Sequence, residues 1–255
     1  MKFSPVKNNI MSKISGHWIS ERELALKFNH AHDQDAGIDD VPRILTSRVR
    51  RIISKYRHPD GATVVLGANC VHIVWNIESS ARKLARESQT IADHAIEWFN
   101  ALLQNNADQG SDADRAAKKI LITASYGDSA KISHDLEKLA RENHMTATEI
   151  LQRHLATTYV VAFSGFQPGF AYLEPLEGSP GINAPRHETP RAKVPAGAIA
   201  LGGPYCGIYP ADGPGGWNII GLTAMRFIDP ENARPANERE AWQPGDLVQF
   251  VEEIK

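Results

Sequence analysis

Several things are scarce in this chain, and each scarcity removes a class of protein. Two cysteines in 255 residues, Cys70 and Cys206, do not make a disulfide framework. The opening stretch MKFSPVKNNIMSKISGHW lacks the continuous apolar core of a signal peptide. No run approaches eighteen uninterrupted apolar residues, so no bilayer-spanning helix is expected and a cytoplasmic protein is the plain reading. Charge is almost balanced, 28 Lys plus Arg against 30 Asp plus Glu for a net of −2. That balance gives no pull towards nucleic acid or an anionic membrane.

Familiar chemical signatures are missing as well. GPGGWNIIG is not a dinucleotide fingerprint, because Asn218 stands where the third glycine belongs. No G-x-x-x-x-G-K-[ST] occurs, and Ser164 sits in AFSGF rather than in a nucleophile elbow. His30, His32 and Asp33 share a polar loop without further ligands at metal spacing, so no metal is expected.

What is present is a core and an uneven distribution of turn formers. Hydrophobic residues make up 42% and charged residues 23%, enough for a sizeable globular interior. Residues 164–217, about a fifth of the chain, hold 11 of the 19 glycines and 9 of the 15 prolines. That shift places a domain boundary near 155–160, giving domains of 1–157 and 158–255.

The first part reads as alternating strands and helices. ELALKF (23–28) puts Leu24, Leu26 and Phe28 on one face, and a helical stripe follows through Leu45, Val49, Ile52, Ile53 and Tyr56. TVVLG (63–67) and VHIVWNI (71–77) read as a hairpin, then a long helix covers 81–104 and KKILITASYG (118–127) returns as a strand. The order β-α-β-β-α-β is the split βαβ arrangement of ferredoxin-like folds. SHDLEKLAREN (133–143) is a short charged helix, and Thr146 with Glu149 opens another through a capping box. Beyond it TYVVAFSGF, GAIALGG, NIIG, MRFID and DLVQFV are short strands between dense turns, which argues for a closed or nearly closed β-barrel. The fold class expected is α+β.

Candidate site residues concentrate in the turn-rich part. In the run 184–195, APRHETPRAKVP, two Pro-Arg pairs mount Arg186 and Arg191 on proline-stiffened backbone. Each guanidinium is a planar fork suited to carboxylate or phosphate, or alternatively a pin that bonds loop carbonyls. His154 falls on the apolar stripe of its helix, either as a core histidine satisfied by a carbonyl or as a general base at a domain seam. Tyr172, Tyr209 and Trp217 could line the same site, although large aromatics are more often core. The stretch CGIYPADGPGGWNIIG (206–221) carries five glycines, so it is either a set of corners or a cradle whose main chain faces a ligand.

These residues carry a resemblance. GFxPGFxYL, PRxxTPRxxVPAG, GIYP and PGGW occur in order across 165–217, and the likeness extends to His154 and to PGDLVQFV (244–251). The run resembles the allophanate hydrolase subunit 1 family, also called the carboxyltransferase-domain subunit 1 or Kip-inhibitor family. The resemblance implies a small α/β domain followed by a cyclophilin-like β-barrel. It also implies a component of an ATP-dependent amide or lactam hydrolase, similar to the B subunit of 5-oxoprolinase, opening 5-oxoproline to glutamate. The implied partner is a subunit 2 homologue, with a LamB/YcsF-type subunit as a further candidate, and ATP is implied for the complex, held either by this chain or by a partner. One branch of the family instead implies a regulatory protein of the histidine-kinase-inhibitor type. Catalytic roles then fall to His154, Arg186, Arg191 and Tyr209, and binding roles to Phe166, Tyr172, Gly207, Gly215, Gly216 and Trp217. The chain departs from the family pattern at Ala198, Tyr205, Cys206, Gly213 and Leu222, where polar side chains are usual. Those departures point to a changed substrate or lost catalysis.

Overall fold

The computed structural model describes residues 14–20, 23–28, 62–67, 70–74, 93–97, 99, 101, 117–127, 133–176, 178–182, 184–226 and 242–253. Two compact units divide the chain, residues 1–115 and 116–255.

In the first unit, β1 (Ile14–Ser20), β2 (Glu23–Phe28), β3 (Thr63–Leu66) and β4 (Cys70–Val74) form an antiparallel sheet in the order β1-β2-β4-β3. Alternation sets its two faces. Leu24 and Leu26 pair with Ile73 and Val71, and these four are buried with Leu66. Glu23, Cys70, His72 and Val65 lie on the opposite face. Residues 93–97 are helical, with Ala95 and Phe99 buried. The helical stripe from Leu45 to Tyr56, the strand positions Trp75 and Ile77, and the loop with His30 and His32 lie outside the described residues.

The second unit opens with β5 (Lys119–Tyr126) and two helices, α1 (Ser133–Glu142) and α2 (Ala147–Ala156). Thr146 caps α2, and the Glu149 carboxylate accepts from the Thr146 amide in return, as the sequence anticipates. There follow β6 (Tyr159–Ser164), β7 (Ala171–Pro175), β8 (Arg191–Val194), β9 (Ala198–Gly202), β10 (Tyr205–Ile208), β11 (Gly213–Gly215), β12 (Asn218–Leu222) and β13 (Leu247–Glu252). Seven of these strands close a barrel in the order β10-β7-β6-β13-β5-β12-β9, while β8 and β11 pair separately as a two-stranded sheet. β6 and β9 are unbroken apolar runs because both of their faces are covered. Within the described residues no helix is long and apolar enough to cross a membrane.

Three expectations need correction. The strand at 118–127 does not complete a ferredoxin-like sheet; as β5 it lies between β12 and β13, parallel to β13 from Lys119–Leu247 to Ala124–Glu252. Pairing across about half the chain is invisible to local periodicity, so adjacency in sequence assigns the strand to the wrong sheet. The turn-rich composition does not mark the start of the second unit, which begins at Ala116 and contains β5, α1 and α2 before the Gly/Pro-rich run. MRFID is not a strand where it is described: residues 223–226 carry no regular structure, and the remainder lies outside the described residues.

Candidate functional site

Three segments build a cavity on the barrel. The turn between β6 and β7 is tight: the Gln167 amide donates to the Gly165 carbonyl at 2.8 Å and the Phe170 amide to Gln167 at 3.0 Å. This geometry forces Phe166 into left-handed backbone, φ 70°, and leaves its ring 58% exposed. A bulky residue held there is strained, and strain of this kind gathers at ligand sites. The arginine-rich segment and the glycine-rich segment then meet through β8 and β11, where Gly213 pairs with Val194 and Gly215 with Arg191. The His187 amide donates to the Gly216 carbonyl at 2.8 Å, extending that seam.

The cavity measures about 170 Å³. Phe166, Phe170, Tyr172, Tyr209 and Trp217 line it with aromatic surface, Gly215, Gly216 and Pro190 add backbone and ring edges, and Arg186 and His187 bring polarity. Phe170 stands edge-on to Tyr172, Tyr209 and Trp217 with centroids 5.1 to 5.7 Å apart, an arrangement that locks the wall. Gly215 is a glycine because a Cβ there would come within 2.2 Å of the Tyr209 hydroxyl. Burial pushes that hydroxyl's pKa up, while the Trp217 amide and the guanidinium groups of Arg186 and Arg191 draw it back. Arg186 is exposed and lies 5.7 Å from the centroid of Trp217, within cation–π range.

The two arginines therefore part company. Arg191 turns inward: one nitrogen donates to the Trp217 carbonyl at 3.2 Å and the other to Asp135 Oδ1 at 2.5 Å. Asp135, in the first turn of α1, is nearly buried and also accepts from the Ile219 amide at 2.8 Å. His187 Nε2 lies 3.2 Å from the same Asp135 oxygen, off hydrogen-bond geometry, and is buried without another partner. Arg191 is thus a brace for the cavity floor and does not line the cavity.

His154 does not line it either. It is fully buried, with Nε2 3.1 Å from the Tyr126 hydroxyl and Nδ1 2.9 Å from that of Tyr159, and its ring lies 4.6 Å from Phe250. Burial lowers its pKa to about 3. Both ring nitrogens face tyrosine hydroxyls, which suits a neutral imidazole with one donor and one acceptor. Of the other anticipated residues, Phe166, Tyr172, Arg186, Tyr209, Gly215, Gly216 and Trp217 come together in the cavity. Gly207 stands behind its wall, where a Cβ would come within 2.6 Å of Phe170.

A model of the carboxyltransferase domain, subdomain C and D, matches residues 17–237. The chain belongs to that family. Among relatives of this carboxyltransferase-domain protein, the B subunit of 5-oxoprolinase from Escherichia coli O157:H7 is 35% identical over 168 residues, 66% of this chain and 72% of that one. The corresponding 5-oxoprolinase component of Haemophilus influenzae is 38% identical over 141 residues, 55% of this chain and 62% of that one. The crystal structure of the Kluyveromyces lactis urea carboxylase shares the fold, with a TM-score of 0.65 at 14% identity over 98% of this chain and 23% of that chain.

In this carboxyltransferase-domain protein, none of Ala198, Tyr205, Cys206, Gly213 and Leu222 is a lining residue. Ala198 and Cys206 are fully buried, Leu222 packs partly buried against the aromatic cluster, and Tyr205 stands edge-on to Phe163 and Tyr172. These departures alter packing rather than the cavity wall. What sequence reasoning misses is the polar backing: Asp135 looks like one more charge on a charged helix, and His187 is hidden between the two Pro-Arg pairs. Phe170 is the other omission, although it sits inside the GFxPGF motif.

Proposed function

We propose that this chain is a subunit of an ATP-dependent hydrolase, equivalent to the B subunit of 5-oxoprolinase, acting with a subunit 2 homologue to open 5-oxoproline to glutamate. The observation that carries this reading is Arg186, an exposed guanidinium over the Trp217 face at the mouth of a small aromatic cavity. A five-membered lactam acid is a compact flat ring bearing one carboxylate. The ring would lie against Phe170, Tyr209 and Trp217 while Arg186 takes the carboxylate. At about 170 Å³ the cavity is smaller than the roughly 300–1,000 Å³ of sites for drug-sized ligands. That size supports a small substrate here and nucleotide on the partner.

An unstrained lactam resists hydrolysis, so its amide oxygen must be activated, and phosphoryl transfer from ATP does that. The backbone at Gly215 and Gly216, free of side chains, would let the activated amide approach the main chain closely. His187, beside buried Asp135, is the proton-transfer candidate that the cavity itself supplies. The family departures fall outside the lining, which supports retained catalysis over the kinase-inhibitor alternative.

The test is co-purification with a subunit 2 homologue followed by measurement of phosphate release. Release should depend on 5-oxoproline, and Arg186→Ala should lower kcat/KM by about 10- to 100-fold, the worth of a charged hydrogen bond. Absence of turnover with 5-oxoproline, other cyclic amides and urea derivatives would overturn the proposal.

A further inference from the structure

The face of the four-stranded sheet opposite Leu24, Leu26, Val71 and Ile73 carries a second chemical arrangement. His72 of β4 bridges two groups: its Nδ1 lies 2.5 Å from Glu23 Oε1 on β2, and its Nε2 lies 3.4 Å from Cys70 Sγ. The order carboxylate, imidazole, thiol is that of a nucleophile whose base is oriented by a third group. Strand geometry produces it. Cys70 and His72 are two residues apart on one strand and so share a face, while Glu23 reaches the imidazole diagonally from the neighbouring strand.

We infer that Cys70, His72 and Glu23 form an activated-thiol site, and that Cys70 is a point of covalent modification by small disulfides. The three groups run in a line through the two nitrogens of one imidazole instead of converging on a common point, so they suit proton relay better than ion ligation. Attack on a disulfide sulfur requires a thiolate and access, with no oxyanion to stabilise. Cys70 is partly exposed, and Gly67 leaves one side of it uncovered, since a Cβ there would come within 2.7 Å of the sulfur. His72 and Glu23 side chains each retain 30% exposure. On the strands flanking this pair, β2 contributes Glu23 and the ladder partner of Cys70, Lys27, while β3 contributes the uncharged Thr63 and Val65.

The step balances. His72 Nε2 takes the proton of Cys70 Sγ, and the thiolate attacks one sulfur of RS–SR. The Cys70–SR bond forms as the RS–SR bond breaks, and the departing RS⁻ leaves as RSH with the proton from the imidazolium. Cys70 is oxidised to the mixed-disulfide level and one half of the reagent is reduced.

Oxidised glutathione and 4,4′-dithiodipyridine serve as probes on the full chain, with intact mass locating the adduct and thiopyridone release giving the rate. Cys206, fully buried with burial raising its pKa, is an internal control that should react only after unfolding. Wild type should show one fast thiol, lost in Cys70→Ser, whose rate persists well below the unperturbed thiol midpoint of about 8.5. His72→Gln should slow it by about tenfold or more at pH 6.5 and move the midpoint up by at least about one unit, with Glu23→Gln between the two. A wild-type midpoint near 8.5, or no adduct on Cys70 in the folded chain, would overturn the inference without recourse to any variant. So would an unchanged pH profile in a folded His72→Gln.

Discussion

Asp135 on α1 grips Arg191 on β8, its second oxygen accepting from the Ile219 amide, and so ties helix, two-stranded sheet and barrel at one buried carboxylate. Arg186, five residues earlier in the same proline-stiffened run, points over Trp217. The pair of Pro-Arg motifs thus separates a guanidinium tied to a buried carboxylate from one that lines the aromatic cavity, and substitutions should separate them too. Arg191→Ala strands a nearly buried carboxylate and should cost about 2 kcal/mol in chemical denaturation, less than a fully buried pair because the arginine is partly exposed. Arg186→Ala should change stability by no more than about 0.5 kcal/mol and, on the proposed function, should weaken binding of 5-oxoproline. Equal destabilisation by the two would contradict the division.

Gly215 sits against the Tyr209 hydroxyl with no room for a methyl group. Gly215→Ala should therefore cost roughly 1–3 kcal/mol, the range for forcing a methyl into packed structure. Adding Tyr209→Phe removes the nearest atom, so the double variant should regain part of the loss in thermal unfolding. An additive result would mean that the two residues do not touch in solution.

Phe166 offers a comparison with an unusual sign. In most sites alanine is more stable than glycine, but at φ 70° the Cβ carries the penalty. Phe166→Gly should be more stable than Phe166→Ala by roughly 1 kcal/mol, the cost of left-handed backbone for a residue with a side chain. Both should weaken ligand binding equally through loss of the exposed ring. The measurements are paired melting curves and ligand titrations.

His154 should make the barrel sensitive to acid. Its folded pKa of about 3 lies below the unperturbed value of about 6.5, so between those pH values the unfolded chain binds a proton that the fold does not. Stability is complete above about 6.5 and falls as pH drops towards 3, by roughly 5 kcal/mol at most. His154→Phe will be less stable at neutral pH because the Tyr126 and Tyr159 hydroxyls lose their partner. Its stability should nonetheless decline less steeply between pH 6.5 and 4, which denaturant titrations at stepped pH would show. An unchanged slope would place the acid sensitivity elsewhere.

How far the sequence is legible follows from the range of each interaction. Thr146 and Glu149, three residues apart, announce their capping box because both partners lie within one turn. The many short strands between dense turns announce a barrel, and the Gly/Pro-rich motifs lead to seven of the cavity's lining residues. Asp135 is illegible because its partners, Arg191 and Ile219, lie 56 and 84 positions away. The placement of β5 fails for the same reason. The Glu23–His72 contact spans 49 positions and depends on strand register, which a single chain does not display.

The parallel match of β5 with β13 bears on how the molecule is made. β13 fills the space between β5 and β6, so the ring cannot close until residues 247–252 have been synthesised. A growing polypeptide on the ribosome holds all the other staves of the barrel and still presents two raw margins, those of β5 and β6, to its neighbours. Late arrival of a single short segment is then the event that ends exposure to wrong partners, and any delay in translating the preceding stretch prolongs that hazard.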